Sequence, residues 1–553
     1  MDGCVGRSEE LAFLNDLWAK APMSCAVCGR RHLGKTTLLK EFVKDKDHIY
    51  ITGTAGLRSD NLEEINRALG AFSGKKERIT DIIDLFPRIK QICGKRKVAV
   101  IIDRLSDLAS NFEEINSYIR SFMNREMGST KIFLVVCDND NSIFGRFYYT
   151  LELKPMSYLD CKGFHPGYTD LQQLQAFAML GGTPAYHHIL GDRDPIDVLR
   201  NEMFDHMSVF SLEAESMVSS EVFSLDGCTK VLAAMSRGAE GVREIASRTQ
   251  MASSYCSKLV EEMEHKGLLQ KEVSSGISRR AVYTINSNIL RFYHQVVYRY
   301  THMVEFESAS DAFAAAEADI AMYMERGFKT VCMDYVAQKY EYKFIGKLRR
   351  KDDTVDDVID FVAFVNVDGK PRTMVARCRL SGNPLGKPDL DELVARSKKV
   401  DGASKMYALF SGSGFSQDLV KIVQKDASTV LLTLEDVYKG RSWNRSSPST
   451  RGPPASAPCC SAIAARSSRS PRGRYVRSIR VRGWWSTIPS RSGKPAGRPS
   501  ARRCPAVRME RTRSRWPWPT RGRPPFCGTA SPGGRSTTRS SGRTGGPPRS
   551  AML

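Results

Sequence analysis

Short apolar runs bounded by polar residues recur through the first third of the chain. Residues 25–28, 98–102 and 132–137 are of strand length and are flanked by turn-forming or charged residues, so they read as buried strands. The first is followed by a loop and then, from Thr37, by the 3–4-residue apolar spacing of an amphipathic helix. Strands that alternate with helices predict a parallel α/β sheet. Further along, helices are predicted to start at residues 231–235 and 242–246. A third is predicted over 253–266, with Leu259, Val260 and Met263 at core-facing spacing. Residues 267–273 and 280–285 read as a two-stranded hairpin, and 320–437 as a helix followed by strands. After about Arg441 no helical or strand period remains.

That last stretch changes how the charge is read. Of 553 residues, 83 are Lys or Arg and 61 Asp or Glu. Residues 441–553 hold 24 Arg and one Lys against one acid, Glu510, leaving 58 basic and 60 acidic groups in residues 1–440. The basic excess is therefore no evidence that the main chain binds nucleic acid. The same stretch holds 16 of the 25 prolines and 5 of the 6 tryptophans, and such a composition predicts disorder. Three readings fit it: an Arg-rich nucleic-acid-binding tail, a plain extension, or an out-of-frame reading of GC-rich DNA. The near-absence of Lys and acids and the isolated Trp484-Trp485 and Trp516-Pro517-Trp518 favour the last.

The length predicts about three or four domains. No run approaches the roughly 20 apolar residues of a membrane helix. The N-terminus lacks a basic region followed by an apolar stretch, so no secretory signal is expected. Residues 1–440 carry ten scattered cysteines, which read as free thiols in a reducing cytoplasm.

The chemistry concentrates after the first strand. Gly29-x-x-x-x-Gly34-Lys35-Thr36 lies between strand and helix, the setting that a phosphate-binding loop needs. Glycines let backbone N–H groups approach the phosphates, and the helix N-terminus adds a favourable dipole. Lys35 would reach the β- and γ-phosphates, and the Thr36 hydroxyl would ligate Mg²⁺. The strand ending at Asp103 supplies the acid expected to hold that Mg²⁺ through water, and Asp103 is also the one catalytic candidate. Arg104 follows where many such ATPases place a glutamate, and arginine cannot accept a proton. Asp107 could substitute or be a solvated acid. Nucleotide binding is thus better founded than hydrolysis. Asp138-Asn139-Asp140-Asn141 ends the third strand, either as a γ-phosphate sensor or as a turn. Cys25 and Cys28 form a Cys-x-x-Cys pair, but they lie in the strand and lack a second ligand pair for zinc.

These residues carry a resemblance. Val5-Gly6-Arg7-Ser8-Glu9-Glu10-Leu11 is similar to the opening of AAA+/STAND-type ATPases. Gly29-Arg30-Arg31-His32-Leu33-Gly34-Lys35-Thr36-Thr37 resembles the phosphate loop of the archaeal-type predicted ATPases, and Phe144-Gly145-Arg146, residues 151–155 and Gly181-Gly182-Thr183-Pro184 resemble further segments of that family. The resemblance runs from residue 5 to about 437. It implies an α/β multidomain protein: a P-loop NTPase core (1–160), a helical lid (161–225), a winged helix-turn-helix (226–304) and a restriction-endonuclease-like PD-(D/E)xK domain (305–440), followed by the disordered tail (441–553). It implies ATP and Mg²⁺ as ligands, Arg146 near phosphate and Pro184 near the base, with Gly29, Arg30, Arg31, Gly34, Lys35, Thr36 and Thr37 around the nucleotide.

The family's nuclease pattern is incomplete in residues 320–437. Asp360 stands where a metal-binding acid belongs. Lys329 and Arg377 stand where acids belong, and Arg377 is expected to bring its positive charge to the metal's position. One carboxylate cannot assemble a two-acid Mg²⁺ site, so no nuclease activity is expected unless Glu325 restores the site by a register shift. The third helix of the winged helix offers Ser253, Ser254, Ser257 and Lys258 to DNA but also carries Glu261, Glu262 and Glu264, which repel phosphate. The expected function is an ATP-binding switch with slow or impaired hydrolysis. The alternative is an ATP-controlled DNA-binding or DNA-processing protein.

Overall fold

The computed structural model describes residues 4–139, 147–219, 224–273, 281–306, 308–347, 358–398, 400, 402, 404–439 and 479–481. Its first layer is a sheet built from β1 (Met23–Cys28), β2 (His48–Thr52), β3 (Lys97–Asp103), β4 (Lys131–Asp138) and β5 (Tyr149–Glu152). The spatial order is β5-β1-β4-β3-β2, and every pair among these five is parallel. The central strands β1, β4 and β3 are covered on both faces, which explains their unbroken apolar runs. Alternate residues feed two cores. Val98, Val100, Ile102, Ile132, Leu134 and Val136 pack under helices Arg58–Ser73, Leu85–Cys93 and Ile115–Arg125. Ala99, Ile101, Phe133, Val135 and Cys137 pack under helices Ser8–Ala19 and Lys35–Val43. Phe133 meets Phe42 edge-on at 5.8 Å.

Beyond β5, helix Asp170–Leu180 begins on a capping box in which Thr169 and Gln172 satisfy each other's backbone N–H. Helices Asp170–Leu180, Pro184–Leu190 and Val209–Ser219 contribute to a third core with Ile289, Phe292 and Tyr293. Helices Leu225–Ser236, Val242–Thr249 and Ser253–His265 then surround a separate core closed by an antiparallel hairpin of β6 (Leu269–Val273) and β7 (Ala281–Ile285). The first of these helices starts six residues before the apolar pattern signals, because Ser224 caps it by accepting the Gly227 N–H.

A second sheet follows the 23-residue helix Glu317–Lys339. It has the order β12-β11-β10-β9-β8, from β8 (Glu341–Gly346), β9 (Phe361–Val367), β10 (Lys370–Arg379), β11 (Lys405–Ser411) and β12 (Thr429–Thr433). β8, β9 and β10 are antiparallel, and β10, β11 and β12 are parallel. Its inner face packs on helix Glu317–Lys339, whose Phe328, Val331 and Tyr335 share one core with Met156, Tyr158, Phe164 and Phe177 of the segment after β5. Within residues 441–553 only β13 (Ile479–Val481) is described. It pairs antiparallel with β5, a strand that the tail's composition does not signal.

His294, 3 % exposed, is lodged in helix Asn288–Gln295 between the rings of Tyr293 and Tyr298. Burial pushes its imidazole down to about 4. The unfolded chain takes up a proton near pH 6.5 that the folded chain refuses until about pH 4. Stability from this residue is therefore full above about pH 6.5 and is lost progressively as the pH falls towards 4. Replacing His294 with Phe is expected to flatten the fall in unfolding free energy between those limits, by an amount on the order of 3 kcal/mol. Thermal unfolding of both proteins across that pH range checks it.

Candidate functional site

β1 ends at Cys28 and the chain turns sharply at Gly29. A Cβ there would lie 2.6 Å from the Leu153 carbonyl oxygen, so only glycine lets the loop pass β5. At Gly34, φ is +80°, and helix Lys35–Val43 starts on the next residue. Its first internal bond is from Leu38 N–H to the Gly34 carbonyl at 2.9 Å, so the amides before Leu38 are the orphan donors of a helix start. The Lys35 ammonium folds back inside the loop. It donates to the carbonyls of Gly29 (2.7 Å) and Arg30 (2.8 Å) and to Asn139 Oδ1 (2.7 Å). Burial lowers its pKa.

Thr36 and Thr37 line the same cleft, of about 670 Å³, with Arg31, Gly34, Asp103 and Asn139. The Thr36 hydroxyl donates to Asp103 Oδ2 at 2.7 Å, and Asp103 is 2 % exposed at the end of β3. β4 lies between β1 and β3, so Thr36 and Asp103 reach each other over the end of β4. A carboxylate beside a hydroxyl is the all-oxygen donor set that fits a hard cation such as Mg²⁺. Asp138, at the end of β4, accepts from Ser106 N–H and Oγ and from Asn139 N–H, each at 2.5 Å. Those bonds hold the start of helix Leu105–Asn111 and the backbone of Asn139 in place. Asp140, Asn141 and Arg146 lie outside the described residues.

Arg104 occupies the left-handed region at φ +58° and caps helix Leu105–Asn111. Its guanidinium pairs with Asp107 at 2.5 Å, so the acid that could stand in for a missing base is held by a cation. His32, in the phosphate loop, is a second non-glycine residue at positive φ, +66°. Such backbone costs on the order of 1–3 kcal/mol and clusters at functional sites. Both residues line the cleft.

The far wall comes from the helical segment after β5. Pro184 opens helix Pro184–Leu190 and lines the cleft with Phe164 and His188. Phe164 stacks on His187 at 5.5 Å and meets His188 edge-on at 5.0 Å. His187 in turn bonds His165 (2.9 Å) and the Gly181 carbonyl (2.7 Å), and burial pushes it down to about 4. Arg7, 2 % exposed, links Glu10 (2.9 Å) with the carbonyls of Leu33 and Lys154 (both 3.0 Å), tying the phosphate loop to the segment after β5.

Two further contacts were not legible in the sequence. His32 faces Glu213 of helix Val209–Ser219 at 3.5 Å, and Tyr186 donates to the same carboxylate at 2.9 Å. Arg30 packs against the turn before β6, where a Cβ on Gly267 would lie 3.4 Å from its Cδ. The phosphate loop thus touches both helix Val209–Ser219 and the three-helix-plus-hairpin unit. Cys25 and Cys28 are buried in β1, and burial raises the Cys25 thiol, so neither is a reactive pair.

In the second sheet the expectation for Arg377 fails. Met374, Ala376 and Cys378 of β10 face the core that contains Phe328, while Val375 faces the opposite one. Two-residue alternation puts Arg377 with Val375, beneath helix Lys387–Ser397, where it pairs with Glu392 (2.9 Å) and Asp389 (3.4 Å). The positive charge on Asp360 is instead Lys329, at 2.5 Å. Asp360 also accepts from the Cys378 N–H at 2.6 Å. Glu325 does not join Asp360: it caps the N–H groups of Leu380 and Ser381, both at 2.9 Å. Among the described residues no group of three or more His, Cys, Asp or Glu is arranged to hold a metal.

No family model matches the chain. An uncharacterized protein of Methanocaldococcus jannaschii is 22 % identical over 376 residues, 64 % of this chain and 83 % of that protein. An uncharacterized ATP-binding protein of Pyrococcus horikoshii is 29 % identical over 171 residues, 28 % of this chain and 51 % of that protein. Among solved structures, the Walker-type ATPase of Pyrococcus abyssi aligns with 53 % of this chain and 96 % of its own, at 14 % identity and a TM-score of 0.40. No helix among the described residues is long and apolar enough to cross a membrane. By its parallel sheet and its strand–loop–helix phosphate loop, the chain has the P-loop NTPase fold.

Proposed function

We propose that the chain is an ATP-binding switch whose hydrolysis is slow. One observation carries this reading: orphan amides at the start of helix Lys35–Val43, the Lys35 ammonium and the Thr36–Asp103 pair converge on one cleft. The triphosphate would lie along Gly29–Thr37 with Arg30 and Arg31 beside it. Mg²⁺ would sit at Thr36 and Asp103, and the base would lie towards Pro184. Mg²⁺ supplies charge neutralisation of the phosphates when bound. Asn139, already bonded to Lys35, is placed to exchange that contact for one to the γ-phosphate.

Movement of the loop would reach the His32–Glu213 contact and the Arg30 packing on Gly267, and through them the lid and the winged-helix unit (226–304). Binding energy that differs between two postures is what makes a switch. Slow hydrolysis follows from Arg104, which offers no base and holds Asp107. The test is phosphate release under multiple turnover. Turnover well below about 1 s⁻¹, the low end for ordinary enzymes, supports the switch. Turnover at motor-like rates contradicts it.

The second sheet, in the helix–strand order of a PD-(D/E)xK domain (305–440), is read as inactive because the Lys329 ammonium sits on Asp360 where a cation would bind. Plasmid DNA is expected to stay intact with Mg²⁺ or Mn²⁺. Metal-dependent nicking that Asp360→Ala abolishes overturns this part of the reading. ATP-controlled DNA binding is a second reading. Its support is the exposed start of helix Ser253–His265, with Ser253, Ser254 and Lys258 at the surface. Salt-dependent DNA binding weakened by Lys258→Ala would favour it.

A further inference from the structure

Asp103 has a second hydroxyl partner that the phosphate-loop reading leaves unused. Tyr50 lies on β2, the edge strand, in register with Ile101, two residues short of the Thr52–Asp103 pair. Ile49 and Ile51 turn to one core, and the Tyr50 ring packs on the opposite one, beside helix Lys35–Val43. Its hydroxyl runs along the sheet face and donates to Asp103 Oδ2 at 2.8 Å, the same oxygen that Thr36 bonds at 2.7 Å.

A phenyl ring would fill this part of the core equally well. The hydroxyl is what a packing role does not need. Two O–H donors on one oxygen fix the plane of a carboxylate that is 2 % exposed, and they leave Oδ1 without a donor from either residue. A threonine hydroxyl can offer a lone pair to a cation while its proton stays on a carboxylate. The Thr36–Asp103 bond can therefore persist beside a metal only if Asp103 keeps its orientation.

We propose that Tyr50 is a positioning residue for the divalent cation of the nucleotide: its hydroxyl locks Asp103 in the orientation that, with Thr36, receives Mg²⁺. Tyr50 touches neither nucleotide nor metal in this arrangement and acts through Asp103. The inference rests on the nucleotide reading above, and its test separates the two.

The test is titration of the full chain and of Tyr50→Phe with ATP, first in EDTA and then across a Mg²⁺ series, repeated with Mn²⁺. Loss of a charge-assisted hydrogen bond predicts about a ten-fold or larger rise in the Mg²⁺ concentration that half-saturates the enhancement of ATP binding. Metal-free ATP affinity is expected to stay within about two-fold, because the Lys35 and amide contacts are untouched. An unchanged metal dependence overturns the proposal. So does an equal fall in metal-free and metal-dependent binding, which is what a packing defect produces. Wild-type chain that binds no nucleotide under either condition overturns the nucleotide reading, and this inference with it.

Discussion

Lys35→Ala is expected to weaken ATP·Mg²⁺ binding by about a hundred-fold or more while the chain stays folded. The ammonium is held by three oxygens at 2.7–2.8 Å, two of them loop carbonyls, so it already points to the interior of the loop that phosphates would enter. Burial lowers its pKa, which means that the charge has been drawn away from water and gains from meeting an anion there. Each charge-assisted hydrogen bond lost with it is worth roughly 1.5–3 kcal/mol, and two such bonds to phosphate oxygens correspond to two or more decades in affinity. The helix that follows is anchored by Leu38, Leu39, Phe42 and Val43 in the core, so the fold does not depend on Lys35. Calorimetric titration paired with thermal unfolding separates loss of the site from loss of the fold. Affinity within a few-fold of wild type, in a folded variant, would contradict a phosphate role for this loop.

Arg104→Glu is expected to raise steady-state ATP turnover about ten-fold or more. A positioned general base contributes roughly 10²–10⁴ in rate, and a graft at the right place recovers part of it. The position is suited to the change. Residue 104 caps a helix start, where the dipole favours a carboxylate, and its side chain lines the cleft next to Asp103. The substitution also removes the guanidinium from Asp107. Arg104→Gln is the control, since it frees Asp107 without supplying a base at residue 104. If only the glutamate accelerates phosphate release, the missing base limits the wild type. If glutamine does as well, Asp107 is the base that Arg104 restrains. If neither accelerates a chain that still binds ATP, the slow step lies elsewhere and the account of Arg104 is wrong.

How far the chain could be read depended on how local each signal is. The phosphate loop needs one strand, eight residues and one helix, all contiguous, and Gly29, Gly34, Lys35 and Thr36 take the places that spacing assigns them. Asp103 was legible because a buried strand that ends in an acid is unusual. The order β5-β1-β4-β3-β2 was not, because nothing in residues 149–152 says that they pair beside β1. Tyr50 escaped for a related reason. In His48-Ile49-Tyr50-Ile51-Thr52 it looks like a half-buried strand aromatic, and only the register of β2 on β3 brings its hydroxyl to Asp103.

Arg377 shows the opposite case, a signal present but read by the wrong rule. Counting along the nuclease motif put its charge at the metal's position. Counting by twos along β10 groups it with Val375 and turns it towards helix Lys387–Ser397. The charge that does reach Asp360 comes from Lys329, on a helix, and the Lys329–Asp360 contact depends on how helix Glu317–Lys339 is rotated against the sheet. The contacts of His32 with Glu213 and of Arg30 with the turn at Gly267 depend likewise on how separate units dock, which no local pattern records.

The measurement that bears most directly on the whole account is calorimetric titration of the wild-type chain with ATP·Mg²⁺. One nucleotide per chain, bound more tightly with Mg²⁺ than in EDTA, is the predicted result. A folded chain that takes up no nucleotide under either condition would contradict it, and the cleft around Lys35 would then be a P-loop scaffold that has lost its ligand.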